Sequence, residues 1–247
     1  MILALSGAFL LIQSVSAQQI ELGNLAGREA AVRQGSSWGV PFEKGSVRKD
    51  AVFELSSDGV SVPVSTWPLA CWPDGSLKWL GLATVAEPGM NSLTLSVRPA
   101  PKRGRRTAKA EPAVTALAEQ TAEGIRVNTG AMTCLFPASG GCFIKDMRLG
   151  DGTVVSAAEL VAILEKREGR TVEYEDFESA VSSVSVVQNT PMRAVVKVEG
   201  KHKSLTGSRE WLPFKLFCVM YKDMATVSLT HSFLFDSDGK EDHIKGI

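Results

Sequence analysis

Residues 225–235, ATVSLTHSFLF, alternate from Ala225 through Phe233. Val227, Leu229, His231, Phe233 and Phe235 fall on one face, and Thr226, Ser228, Thr230 and Ser232 fall on the other. A period of two over that length is the pattern of a strand with one face in a core and one in water, and a helix cannot satisfy it. The preceding run 211–221, WLPFKLFCVMY, is apolar apart from Lys215, and Lys222-Asp223-Met224 between them predicts a long antiparallel pair. Four Asp-Gly dipeptides, at 58–59, 74–75, 151–152 and 238–239, separate other apolar or alternating runs. Asp-Gly tolerates the positive φ angles of tight hairpin turns, so the chain reads as all-β.

Other runs agree. Residues 60–66, VSVPVST, alternate, and Pro63 on the opposite face predicts an edge or bulged strand. In 77–85, Leu77, Trp79, Ala83 and Val85 share one face and Leu80 and Leu82 the other, a strand covered on both sides. Residues 91–98, 124–149, 180–188 and 192–199 continue the strand signal, and 156–167, SAAELVAILEKR, is the one short stretch compatible with a helix. The segment 99–123 holds three prolines and a cluster of basic residues with no aromatic among them, the composition of a solvated linker rather than a phosphate-binding track. The layout is a small β domain over 18–98, a linker over 99–122, and a β-sandwich over 123–247. DSDGKEDHIKGI follows a strong strand without an evident partner, so the sandwich is expected to continue past Ile247.

Residues 1–17, MILALSGAFLLIQSVSA, stand apart. The apolar run suits a signal peptide and is too short to span a bilayer; Val15-Ser16-Ala17 fits a cleavage site, and export to a secreted or periplasmic location is the expectation. Lys+Arg and Asp+Glu are 27 each, a balance that does not favour nucleic acid as a partner. Four cysteines, Cys71, Cys134, Cys142 and Cys218, are too few for a disulfide scaffold. A hairpin turning at Ser139-Gly140 sets Cys134 opposite Lys145 and Cys142 opposite Pro137, too far apart to bridge, so the thiols are expected free and buried.

No nucleophile elbow, phosphate loop or zinc-peptidase helix is present. The histidines His202, His231 and His243 lack metal-ligand spacing, and the carboxylates of TVEYEDFES (171–179) match no calcium loop and read as a solvated acidic loop. No cofactor is evident, although a divalent cation remains compatible with the composition. Three of the five tryptophans fall in TWPLACWPDGSLKWLGLATV (66–85). Trp79 lies within a covered strand and is expected in the core. Trp67 and Trp72 flank a Pro-Asp-Gly turn, where they either pack against a neighbouring domain or stack on a sugar.

WGVPFEKGSV (38–47), WPLACWPDGSLKWLGLATV (67–85), VNTGAMTCLFPASGGCFIKDM (127–147) and HSFLFDSDGKEDHIKGI (231–247), in that order, resemble the exo-rhamnogalacturonan lyase and YetA-like family. The resemblance implies an N-terminal RIFT-type β-barrel, a central β-sandwich and a C-terminal α/α toroid, of which the last has no counterpart in this sequence. It implies β-elimination of an acidic polysaccharide such as rhamnogalacturonan, with that polymer and the toroid as partners. Such a reaction needs a base for the proton beside the uronate carboxylate and a cation for the developing enolate. On chemistry alone, His231 or Tyr221 serves as base and Arg193 or Arg209 as neutraliser. The rival expectations are a non-catalytic carbohydrate-binding module and a purely structural pair of β domains.

Overall fold

The computed structural model describes residues 18–23, 32–90, 92–100 and 116–247. The expected signal segment and most of the linker lie outside these residues. β1 (Gln18–Gly23), β2 (Gln34–Pro41), β3 (Val52–Ser57), β4 (Val60–Val62), β5 (Ser65–Cys71), β6 (Leu77–Ala86) and β7 (Ser92–Arg98) build the first domain. They form two antiparallel sheets, β1-β7-β3-β4 and β2-β6-β5. The inner faces enclose Val40, Leu55, Val62, Leu77, Leu80, Leu82, Leu95 and Val97. Each fully buried leucine contributes about 1.5–3 kcal/mol relative to exposure.

The turns follow their residues. Asp58 and Gly59 both take positive φ, 48° and 79°, in the tight β3–β4 turn. At the β5–β6 turn Trp72 N–H donates to the Ser76 carbonyl at 2.8 Å and Asp74 Oδ1 accepts from Ser76 N–H at 3.0 Å, with Gly75 at φ 81°. Pro63 ends β4 at the sheet edge, as expected for a residue without an N–H.

The second domain comprises β8 (Ala118–Gln120), β9 (Gly124–Asn128), β10 (Thr133–Pro137), β11 (Ile144–Leu149), β12 (Gly152–Ala158), β13 (Val161–Glu168), β14 (Thr171–Asn189), β15 (Arg193–Ser204), β16 (Glu210–Tyr221), β17 (Ser228–Phe233) and β18 (Asp242–Gly246). A five-stranded sheet, β12-β11-β10-β9-β8, packs on a six-stranded sheet, β17-β16-β15-β14-β13-β18. Ile125, Val127, Cys134, Phe136, Val196, Val198, Phe214 and Leu216 fill the space between. No helix occurs among the described residues, and none there is long and apolar enough to cross a membrane.

Several local expectations are corrected. Residues 156–167 form the end of β12 and most of β13, because pairing of β13 with both β14 and β18 outweighs the modest helix preference of Ala157, Ala158 and Glu159. The acidic stretch 173–178 is part of β14 rather than a loop; Glu173 stands opposite Lys166, and the Ser204 hydroxyl donates to Glu175. The final residues do find a partner, since β18 pairs with β13 at Lys166↔Asp242 and Glu165↔His243. The β10–β11 register places Leu135, not Cys134, opposite Lys145, because a bulge lies between Thr133 and Leu135. All four cysteines are free, with Cys134 and Cys218 buried but Cys71 exposed. Burial pushes the Cys134 and Cys218 thiols up to about 12, which leaves them inert.

Candidate functional site

The site-forming surface begins with the alternation of β6. Leu80 and Leu82 point into the first domain, so Trp79, Gly81, Ala83 and Val85 form its outer face. Ala83 and Val85 are covered by Met192, with Tyr221 and Met224 packed beside them. Polar links tie this seam. Met192 N–H donates to Ser65 Oγ at 3.1 Å. Arg33 donates from Nε to Glu87 at 2.8 Å and from Nη1 to the Asp223 carbonyl at 2.8 Å. Gly35 admits the Tyr221 ring; a Cβ at that position would overlap it.

Three of the sequence-selected residues meet at this seam. Trp67 packs closely against Gly81, where a Cβ would collide with the indole, and it packs on the same cluster as Tyr221. The Arg193 guanidinium is 5.9 Å from the centroid of the Tyr221 ring. Its Nη1 donates to Gln188 Oε1 at 2.6 Å, while Arg193 Nε and Gln188 Nε2 are buried without a partner among the described residues. Burial raises the Tyr221 phenol above its ordinary value; neighbouring Arg193 and Ser37 act in the opposite sense without overcoming it. A phenol in that setting holds its proton and is better placed to donate a hydrogen bond than to act as a base.

The other candidates stand elsewhere. His231 is opposite Leu216 on β17, five positions along β16 from Tyr221, or roughly 17 Å. Its ring centroid is 6.3 Å from that of His202, and burial holds both imidazoles below the ordinary value. Arg209 pairs with Asp242 and donates to Ser237 at 3.0 Å, near the β18 edge. His231, Arg209 and the Arg193–Tyr221 pair therefore occupy three separate places. Among the described residues no group of three or more His, Cys, Asp or Glu side chains is arranged to hold a metal.

The tryptophans also divide. Trp72 Nε1–H donates to the Phe42 carbonyl at 3.0 Å and Lys78 Nζ sits 4.5 Å from its ring centroid, so the ring is pinned to its own domain. Trp79 is not in the core as its covered strand suggested; it is 40% exposed. The second domain covers β6 only at Ala83 and Val85, which leaves the Trp79 end open. The signal available in the sequence was the pair of glycines in WGVP and LGLA: Gly39 and Gly81 are cross-strand partners and clear the surface on which the indoles lie.

At the other end of the seam, a cleft of about 540 Å³ opens between Asp58, Glu87 and Met90 on one side and Met192, Lys222 and Asp223 on the other. Its carboxylates, Asp58, Glu87 and Asp223, outnumber its cations, Arg33 and Lys222, and Arg33 is already committed to bridging the domains. That balance does not suit a polyanion.

Comparison with known proteins matches residues 18–98 to the PcRGLX-like N-terminal RIFT barrel domain and residues 116–247 to the PcRGLX-like protein central beta sandwich domain. The chain is similar to "Uncharacterized protein YetA" of Bacillus subtilis (strain 168), with 31% identity over 222 residues, covering 87% of this chain and 25% of the relative. It thus spans about a quarter of that relative's length.

Proposed function

The chain belongs to the PcRGLX-like family, and on that premise we propose that it is the barrel-and-sandwich part of an exported polysaccharide lyase-like protein. The proposed substrate is a rhamnogalacturonan or pectin-type acidic polysaccharide, and the proposed reaction is β-elimination. The observation that carries this is the match of both domains, in family order, across nearly all of the described residues. The dispersal of His231, Arg209 and the Arg193–Tyr221 pair supports a division of labour. In it, an α/α toroid outside this chain supplies the base and neutralising groups, and the present domains carry and orient them. A longer form that includes the toroid is expected to release unsaturated uronyl products from rhamnogalacturonan, read as rising ultraviolet absorbance, while residues 18–247 alone give no rise. Absence of product across a panel of acidic polysaccharides, with the longer form folded, would overturn the proposal.

A second reading, a carbohydrate-binding role for this chain itself, is favoured by the open Trp79 face. It predicts saccharide binding by the 247-residue chain without turnover.

A further inference from the structure

We infer that the outer face of the three-stranded sheet around Trp79 is a stacking subsite for a neutral pyranose of the 6-deoxyhexose class; this rests on the reading of the protein as one that handles a pectin-type polymer. Trp79 and Leu69 are 40% and 56% exposed side by side on the outer face of a regular sheet. The indole is held close to the sheet because the residue beneath it is Gly39: a Cβ there would come within 3.3 Å of the ring's Cε3 and 3.5 Å of Leu69. A Cβ at that position would require the ring to give by a few tenths of an ångström.

The surroundings select the ligand. The cross-strand partners of Trp79 are Pro41 and Ala70, and with Gly39 and Leu69 they carry no charge. A uronate carboxylate placed over this ring meets no cation from these neighbours. The C–H face of a neutral sugar, extended by the methyl group of a 6-deoxyhexose, meets an aromatic ring and an aliphatic rim. The face is continuous with the domain seam: Gly81, the partner of Gly39, lies under Trp67, and Trp67 packs on the cluster that holds Tyr221.

The test measures binding to the whole chain by calorimetry and by the indole N–H signals in NMR. The probes are rhamnogalacturonan oligosaccharides, oligogalacturonates and a neutral oligosaccharide of 6-deoxyhexose. The first and third are expected to bind and to shift the Trp79 signal, with oligogalacturonates several-fold weaker. Trp79→Ala is expected to weaken binding about tenfold and Trp79→Phe less, with unchanged thermal transitions because the side chain is on the surface. Equal binding by Trp79→Ala, equal binding of oligogalacturonates, or no binding at all would overturn the inference. So would a concentration-dependent self-association abolished by Trp79→Ala, which marks the face as a protein contact. Lyase activity in the longer form together with an indifferent Trp79 would sink this inference alone. Binding of the neutral 6-deoxyhexose probe without pectic activity would sink the reading it rests on and leave the subsite standing.

Discussion

His202 is fully buried and has one ring nitrogen, Nδ1, 2.9 Å from the Leu212 carbonyl. That contact sets Nδ1 as the protonated nitrogen and leaves Nε2 without a partner among the described residues. Burial depresses His202, and burial followed by the repulsion of His202 depresses His231. Because the folded values are lowered, the unfolded chain binds protons first as pH falls. Stability from this pair is therefore complete above the ordinary histidine value of about 6.5 and declines as pH drops below it. Denaturant midpoints measured from pH 8 to 5 are expected to fall on the acid side, and His202→Gln is expected to flatten that slope while lowering the midpoint at pH 8. A slope unchanged by the substitution would show that His202 does not contribute to it. Histidine 202 carries no sequence signal of this kind: its neighbours in KHKS are polar, and only the fold places it beside Phe214, with ring centroids 5.1 Å apart.

At the scale of elements, the pairing of β16 with β17 was legible from alternation, and the register runs from Phe214↔Phe233 through Val219↔Ser228, although the connection spans 222–227 rather than the three residues expected. What alternation could not reveal is whether the apolar face is covered. Phe214 is 2% exposed, yet its direct partner Phe233 is 44% exposed and Leu229 is 51% exposed. The core between the two sheets ends at β16, and β17 lies beyond it, with Val227 just before the strand packed against that core. Phe214→Ala is accordingly expected to cost about 3–5 kcal/mol of stability and Phe233→Ser less than about 1 kcal/mol, both measured by chemical denaturation. Comparable losses at the two positions would mean that the face of β17 is covered in solution. The strands β12 and β13 fail to be legible for a related reason: Ala157, Ala158 and Glu159 prefer helix weakly, and partners on both sides of β13 decide the outcome.

At the scale of the whole molecule, the two domains share a small mixed seam. Its apolar centre is Ala83, Val85 and Met192, with Trp67, Tyr221 and Met224 around it, and its polar clamp is Arg33 with Glu87 and Asp223. An exposed charge pair of this kind contributes roughly 1 kcal/mol or less, so the packing of Tyr221 against Gly35 carries more of the docking. Gly35→Leu is expected to displace the Tyr221 ring and free the domains from one another. Small-angle scattering would then show a larger radius of gyration, and calorimetry two separated transitions in place of a coupled one. Unchanged scattering with unchanged melting would mean that the seam does not depend on that contact.

The sequence by itself determined the class of fold and the place of many of its strands, because strand periodicity and Asp-Gly turns are local properties written residue by residue. It also marked the aromatic stretch 66–85 as the part of the first domain most in need of explanation. Only the tertiary structure decided which of those tryptophans is free. Trp72 is tied down by a carbonyl 30 residues away, Trp67 is covered by a second domain, and Trp79 remains open because that domain stops at Ala83. Exposure is a property of what packs on a face, and packing partners distant in sequence leave no periodic trace in the strand they cover or leave bare.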